Sequence, residues 1–250
     1  MIKDIYIVWK KEIRELFSSY RNVQTFVFKS GIFLIFFGIF LPLRQKDLWL
    51  SELIPGLVFA SVPLFVSNWF IADSIAGERE RKTLETLLAT RLPDRCILIG
   101  KICAAMTLSW LFTLSIMAVS LITLNIACPA GPIILYPLFT ILCAGYTSLG
   151  TGLCISIVGI AISMRASSVR EAQQTLGIPL MIFFLFIGFV LPEIVERIPE
   201  TTGTMMLSFL ANADRLSLLM TGSHILIGIG GLLLLLLISK FNRSAILENP

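Results

Sequence analysis

The chain has 250 residues, of which 56% are hydrophobic and only 14% charged, whereas about a quarter of the residues of a soluble domain carry charge. Membrane spans of about 20 residues each would consume this length and leave no room within it for a catalytic domain. The net charge of +4 comes without aromatic-basic interleaving or a nucleic-acid module, so it points to basic residues gathered on one side of a membrane and excludes nucleic acid as a partner.

At the start, Ile2, Ile5, Tyr6, Trp9, Ile13, Leu16, Phe17 and Tyr20 recur at helical spacing, with Lys3, Asp4, Lys10, Lys11, Glu12, Arg14 and Glu15 opposite. This pattern predicts an interfacial amphipathic helix over residues 1–22, lying along the inner leaflet with Trp9 and Tyr20 at the headgroups. It serves as an anchor, or also as a surface for a cytoplasmic partner. No short apolar core with a small-residue cleavage site precedes it, so the mature chain is expected to begin near Met1. Six spans follow from apolar length, at residues 24–43, 54–72, 97–125, 133–164, 176–191 and 223–239. The fold class is therefore all-α and polytopic. Lys29 is the one charge inside a span, and the third and fourth spans are long enough to tilt or project into the cytoplasm.

Between the second and third spans lies a loop at residues 73–96. From Asp73 to Lys101 there are eleven charged side chains, which would cost on the order of 30 kcal/mol to bury at the bilayer centre. The loop must lie in water or at the headgroups. Within it, Leu84, Leu87 and Leu88 fall on one helical face and Glu85 on another, which predicts a short helix stopped by Pro93, with Asp94 capping the next. In the fourth span Ala144, Ser148, Gly152 and Ser156 recur every four residues. Such a stripe permits close helix packing, or lines a path. Asn68 and Asn125 are read as interhelical hydrogen-bonding amides and His224, the only histidine, as an interfacial one. Residues 192–222 are too long for a turn. They form short helices at the outer leaflet, re-entrant or interfacial, or a solvated loop packed back on the spans.

Orientation follows from the twenty Lys and Arg residues. With both termini in the cytoplasm, sixteen are inside, and only Arg44, Lys46, Arg197 and Arg215 are outside, as the positive-inside rule requires of a multi-pass protein of the cell membrane. Cys96, Cys103, Cys128, Cys143 and Cys154 have no metal-ligand spacing or disulfide framework. No paired Asp, Ser with His, or metal cluster falls within the spans, which disfavours an intramembrane enzyme. Gly100-Lys101 is followed by Ile102 and preceded by Arg95 where a phosphate-binding loop needs Ser or Thr and Gly. The chain itself offers no site for ATP. Ion-driven carriers place ionisable groups at mid-membrane, which these spans lack.

The order of residues in the charged loop resembles that of ATP-binding-cassette (ABC) transporter permeases of the type 2 class, found in bacterial and archaeal exporters. Their pattern is matched by Glu78, Glu80, Thr83, Leu84, Glu85, Leu87, Leu88, Thr90 and Leu92, then by Ile97, Leu98, Gly100 and Lys101. It departs at Lys82, where the family usually has Gly, and at Arg91, where it usually has Pro. Residues 168–174 and 10–16 resemble the second inner loop and the start of the same family.

The resemblance implies a permease that pairs with a second permease, a copy or a paralogue, and with separate ATPase subunits that carry ATP and Mg. The chain itself would hold no cofactor and no metal. Residues 78–92 would be the coupling helix in a groove of the ATPase, with Glu78, Glu80 and Glu85 meeting basic groups and Leu84, Leu87 and Leu88 supplying the buried contact. The outer element at residues 192–222 would cap the exit of the substrate path. The substrate is not implied, and permeases for a special cargo such as haem, or of copper- or sodium-linked systems, share the inner-loop motif.

Overall fold

The computed structural model describes residues 1–18, 31–44, 49, 53–128, 133–185 and 215–240, and every element in them is helical. The chain begins with α1 (Ile2–Ser18) and a short apolar helix, α2 (Gly31–Arg44). A π-helical turn at Phe36–Phe40 interrupts α2 where Gly38 lies against Val119. There follow α3 (Leu53–Glu80), α4 (Leu84–Leu88), α5 (Asp94–Ala127), α6 (Leu138–Arg165), α7 (Val169–Leu185) and α8 (Arg215–Lys240).

Four stretches among the described residues are long and apolar enough to cross a membrane: Pro55–Glu80, Asp94–Ala127, Thr140–Arg165 and Thr221–Ser239. The other two expected spans overlap α2 and α7 and run into residues 24–30 and 186–191, outside the described residues, as do Tyr20, Lys29 and residues 192–214. Three expected boundaries move. The second span does not end at residue 72 but continues as helix to Glu80. Residues 168–174 are not a free loop, because α7 starts at Val169. Residues 215–222 are the first turns of α8 and not part of an outer loop.

The most extensive packing is between α3 and α6, with α8 on the other side of α6. Residues 60, 63 and 71 of α3 meet residues 151, 152 and 159 of α6, so the two helices run in the same direction. Small residues let them approach: a Cβ on Gly152 would touch the Pro63 ring at 3.5 Å, and one on Gly159 would collide with Ile71. Two hydroxyls of α6 bond to the backbone of α3. Near Pro63, which donates no amide proton, the Thr151 hydroxyl donates to the Ala60 carbonyl at 2.7 Å. Lower down, the Ser163 hydroxyl donates to Ala72 O and accepts from the amides of Ile75 and Ala76.

The interior divides along the helices. One cluster of Phe37, Trp49, Phe59, Val62, Val66, Ile116, Met117, Leu124, Tyr136 and Ala144 fills the end at which α5 finishes. A second, of Ile71, Ile75, Leu84, Leu98, Ile102, Ala105, Ile157 and Ile160, fills the end at which α5 starts. The latter is called the charged end here and the former the far end. On α8, Ile225, Ile229, Leu232, Leu235 and Leu236 are exposed, an apolar face that suits lipid or another spanning subunit.

Candidate functional site

At the charged end α3 stops through its own backbone. Thr83 N donates to Glu78 O at 2.9 Å and Lys82 N to Arg79 O at 3.0 Å, the paired bonds of a Schellman ending. Such an ending needs one residue in the left-handed region, and that residue is Lys82, at φ 56°. A side chain there costs about 1 kcal/mol relative to glycine. The departure from the Gly of the pattern it resembles thus puts a strained lysine at the left-handed position of this turn. The chain then forms the single turn α4, and Thr90 Oγ1 donates to Leu87 O at 2.7 Å to close it. Pro93, not Asp94, occupies the N-cap of α5 and receives the amides of Cys96 and Ile97 on its carbonyl. Asp94 is the first helical residue, where a carboxylate favours the positive end of the helix dipole.

Three sequence-distant segments meet just beyond this turn. A Cβ on Gly100 would lie 2.6 Å from Val8 Cβ and 3.1 Å from Ile5 O, so glycine is what lets α1 lie against α5. That approach brings Glu12 to Lys101. The Lys101 ammonium, 3% exposed, donates to Glu12 Oε1 and Ser74 O at 2.7 Å each and sits 3.1 Å from Glu78 Oε1. Lys11 reaches the same Glu78 oxygen at 2.7 Å, and Glu15 at 3.3 Å. Glu12, Glu15 and Glu78 offer oxygens within 4.8 Å of one another, the spacing of a cation site, but the cation among them is the Lys11 ammonium. Burial lowers the Lys11 pKa; the hydrogen bond to Glu78 and the charges of Glu78, Glu12 and Glu15 outweigh that and leave it raised.

The sequence reading of α1 is corrected by this contact. Its docked face is Ile5, Val8 and Glu12, displaced from the apolar stripe, and Val8, absent from the stripe, is among its most buried residues. Trp9 donates to Thr107 Oγ1 at 3.1 Å, on α5. Met1, Ile2, Tyr6 and Ile7 stay exposed. The side chains of Leu16 and Phe17 lie outside the described residues.

The last turn of α3 also holds the α6–α7 corner. Arg79 donates to the carbonyls of Met164 (3.0 Å) and Ala166 at the end of α6. Glu80 accepts the amide of Val169 at 2.8 Å, which places a carboxylate at the start of α7. Ser168 Oγ accepts the Glu171 amide, and Glu171 accepts both the amide and the hydroxyl of Ser167. These bonds, the Ser167 side chain first, hold the Glu171 carboxyl below its ordinary value. The Ser168-x-x-Glu171 spacing of a capping box was visible in the sequence. Alanines 72, 76, 166 and 172 pack together there. Asp73 and Arg81 pair at 3.2 Å across Gly77, where any Cβ would strike the Asp73 carboxylate.

The sequence-selected residues therefore separate by position. Glu78 and Lys101 are buried and paired within the chain, and Gly100 lies under α1. Leu84 is 7% exposed and belongs to the chain's own core; Leu87 and Leu92 are half-buried. Thr83 and Thr90 are exposed, and Glu80 is exposed with one oxygen on α7. Glu85 and Leu88 belong to α4, and their side chains lie outside the described residues. Ala144, Ser148, Gly152 and Ser156 are all buried in the helix bundle. The ion cluster at Glu12 was missed, although Gly next to Lys at the head of a helix signals a close neighbour with a carboxylate.

Comparison with individually curated proteins finds no match. A family model described as ABC-2 type transporter matches residues 3–200, which include α1 and the whole charged end. That span is most of the chain, and the chain belongs to the ABC-2 type transporter family, as a membrane permease of an ABC transporter.

Proposed function

We propose that this permease couples ATP hydrolysis on a separate ABC ATPase subunit to export of a substrate, and that the α3–α5 connection, residues 81–93, is the element that docks on the ATPase. The observation that carries this reading is the convergence at the charged end. Lys101, Glu78, Glu12 and Lys11 tie α1, α3 and α5 together, and Arg79 and Glu80 tie α3 to α6 and α7. A displacement of the connection moves α1, α3 and α5 as one body, because buried ion pairs do not deform continuously, and draws α6 and α7 with them through hydrogen bonds. In this reading the charged end and both termini face the cytoplasm of a cell-membrane protein, in keeping with sixteen of twenty basic residues. The work of the permease is done in a pair, with a second copy or a paralogue.

The reading divides the motif into two jobs. Gly100, Lys101, Glu78 and Leu84 hold the connection from within, while the exposed Thr83, Thr86 and Thr90 are left for the partner. The test is a variant with Glu85→Lys, Leu87→Asp and Leu88→Asp, assayed for ATPase binding and for transport in vesicles. Membrane insertion should be retained and both activities lost; wild-type binding and transport in that variant would overturn the docking assignment.

A further inference from the structure

The charges at the charged end are not used evenly. Among the described residues, Asp4 binds the N-terminal ammonium, Glu12, Glu15 and Glu78 bind Lys11 and Lys101, and Asp73 binds Arg81. Glu80 binds the Val169 amide, Glu171 binds Ser167, and Asp94 is half-buried at the start of α5. The described carboxylates of this end are thus consumed inside the chain, and the side chain of Glu85 lies outside the described residues. The side chains of Lys82, Arg91 and Arg95 are exposed and have no hydrogen-bonded or ionic partner among the described residues. The sequence reading had assigned the partner contact to Glu78, Glu80 and Glu85, yet Glu78 is 2% exposed and Glu80 is engaged.

On the reading of the α3–α5 connection as an ATPase-docking element, we infer that it presents a cationic rim, Lys82, Arg91 and Arg95, and that the receiving cleft of the ATPase is lined by carboxylates. The alternative occupant of a basic surface is anionic lipid. Segments that bind a membrane surface insert apolar side chains beside their cations. That combination is found on α1, where Ile2, Tyr6 and Ile7 are exposed beside Lys3 and Lys10. Between residues 81 and 95 no large apolar side chain is exposed among the described residues; the exposed uncharged neighbours are Thr83, Thr86, Ala89, Thr90 and Pro93. Such a surface fits a polar protein cleft, with the half-buried Leu87 and Leu92 beneath it. Rim charges act chiefly by steering the encounter, so their signature is a salt-dependent association rate.

The experiment uses the full-length permease in nanodiscs of neutral lipid and, separately, in discs containing phosphatidylglycerol. The probes are the freestanding ABC ATPases of the same genome, purified. The wild type should bind one of them with an association rate that falls as salt rises. Arg91→Glu with Arg95→Glu should lower that rate by roughly tenfold and flatten its salt dependence in both kinds of disc. Lys82→Glu added to these should lower it further. Arg91→Lys with Arg95→Lys should leave it near wild type, which separates charge from folding. Wild-type rates in the charge-reversed variants would overturn the cationic rim while leaving ATPase docking intact. A loss confined to phosphatidylglycerol discs would assign the rim to lipid and overturn it too. Failure of the wild type to bind any of the ATPases would overturn both this inference and the function on which it rests.

Discussion

The two ends of α5 are held by different chemistry. At the far end the contacts are neutral: Trp49 Nε1 donates to Tyr136 OH at 2.7 Å, Tyr136 OH and Ser120 Oγ lie 2.9 Å apart, and the Asn125 amide both donates to and accepts from the Ile134 backbone at 2.8 Å. Phe59 meets both Trp49 and Tyr136 edge-on. At the charged end the same helix is held by Lys101 between two carboxylates. A neutral hydrogen bond contributes about 1 kcal/mol net, and breaking a buried ion pair costs about 3–5 kcal/mol. The far end is a joint that can yield one bond at a time. The charged end holds or fails as a unit, which suits an element that receives force.

The sharpest way to break this comparison is Lys101→Met, which leaves Glu12 and Glu78 with Lys11 as the one cation they share among the described residues. It should destabilise the permease by about 3–5 kcal/mol, read as a lower thermal midpoint in detergent, and adding Glu78→Gln should restore part of the loss. Gly100→Val comes next. Its side chain meets Val8 at the 2.6 Å position, so α1 should detach and become cleavable by protease at a cost of about 1–3 kcal/mol.

Tyr136→Phe probes the far end, removing the acceptor of the Trp49 indole and a contact of Ser120. Its cost should be about 1–3 kcal/mol. A cost equal to that of Lys101→Met would erase the distinction between the ends. Lys82→Gly runs the other way: relieving a left-handed lysine should stabilise the chain by about 1 kcal/mol, measured as a raised midpoint. The smallest effect is a pH dependence. Because the Glu171 pKa is lowered by its bonds to Ser167, its contribution is present above the ordinary value of 4.5 and lost as pH falls through the lowered one. The amide protection factors at residues 169–172, taken against the intrinsic rate at each pH, should therefore fall on acidification, and should show no such step in Glu171→Gln.

Much of the fold was legible because apolar length and charge are local properties. The third span, the single turn at Leu84 and the break at Pro93 all lie where the sequence puts them. The end of α3 was misread because Asp73 and the charges after it look like loop, whereas their helix is carried past the apolar segment by packing of Ala72 and Ala76 on α6 and α7. The start of α7 was hidden in the same way, although its capping residues were in view. At the charged end the selected residues lie close together, but the directions of their side chains were not legible. Glu78, read as facing a partner, faces inward, and Glu12 was treated as part of a solvated face.

By itself, the sequence determined the membrane class and the position of the charged joint. Helical periodicity assigns a residue to a face but does not say what covers that face. Only the tertiary structure decided that α1 lies on Gly100, that Lys101 is enclosed by carboxylates from two other helices, and that Lys82, Arg91 and Arg95 stay exposed beside them. The physical reason is that the energy of a charge depends on neighbours brought from 23 and 89 residues away, as Glu78 and Glu12 are to Lys101.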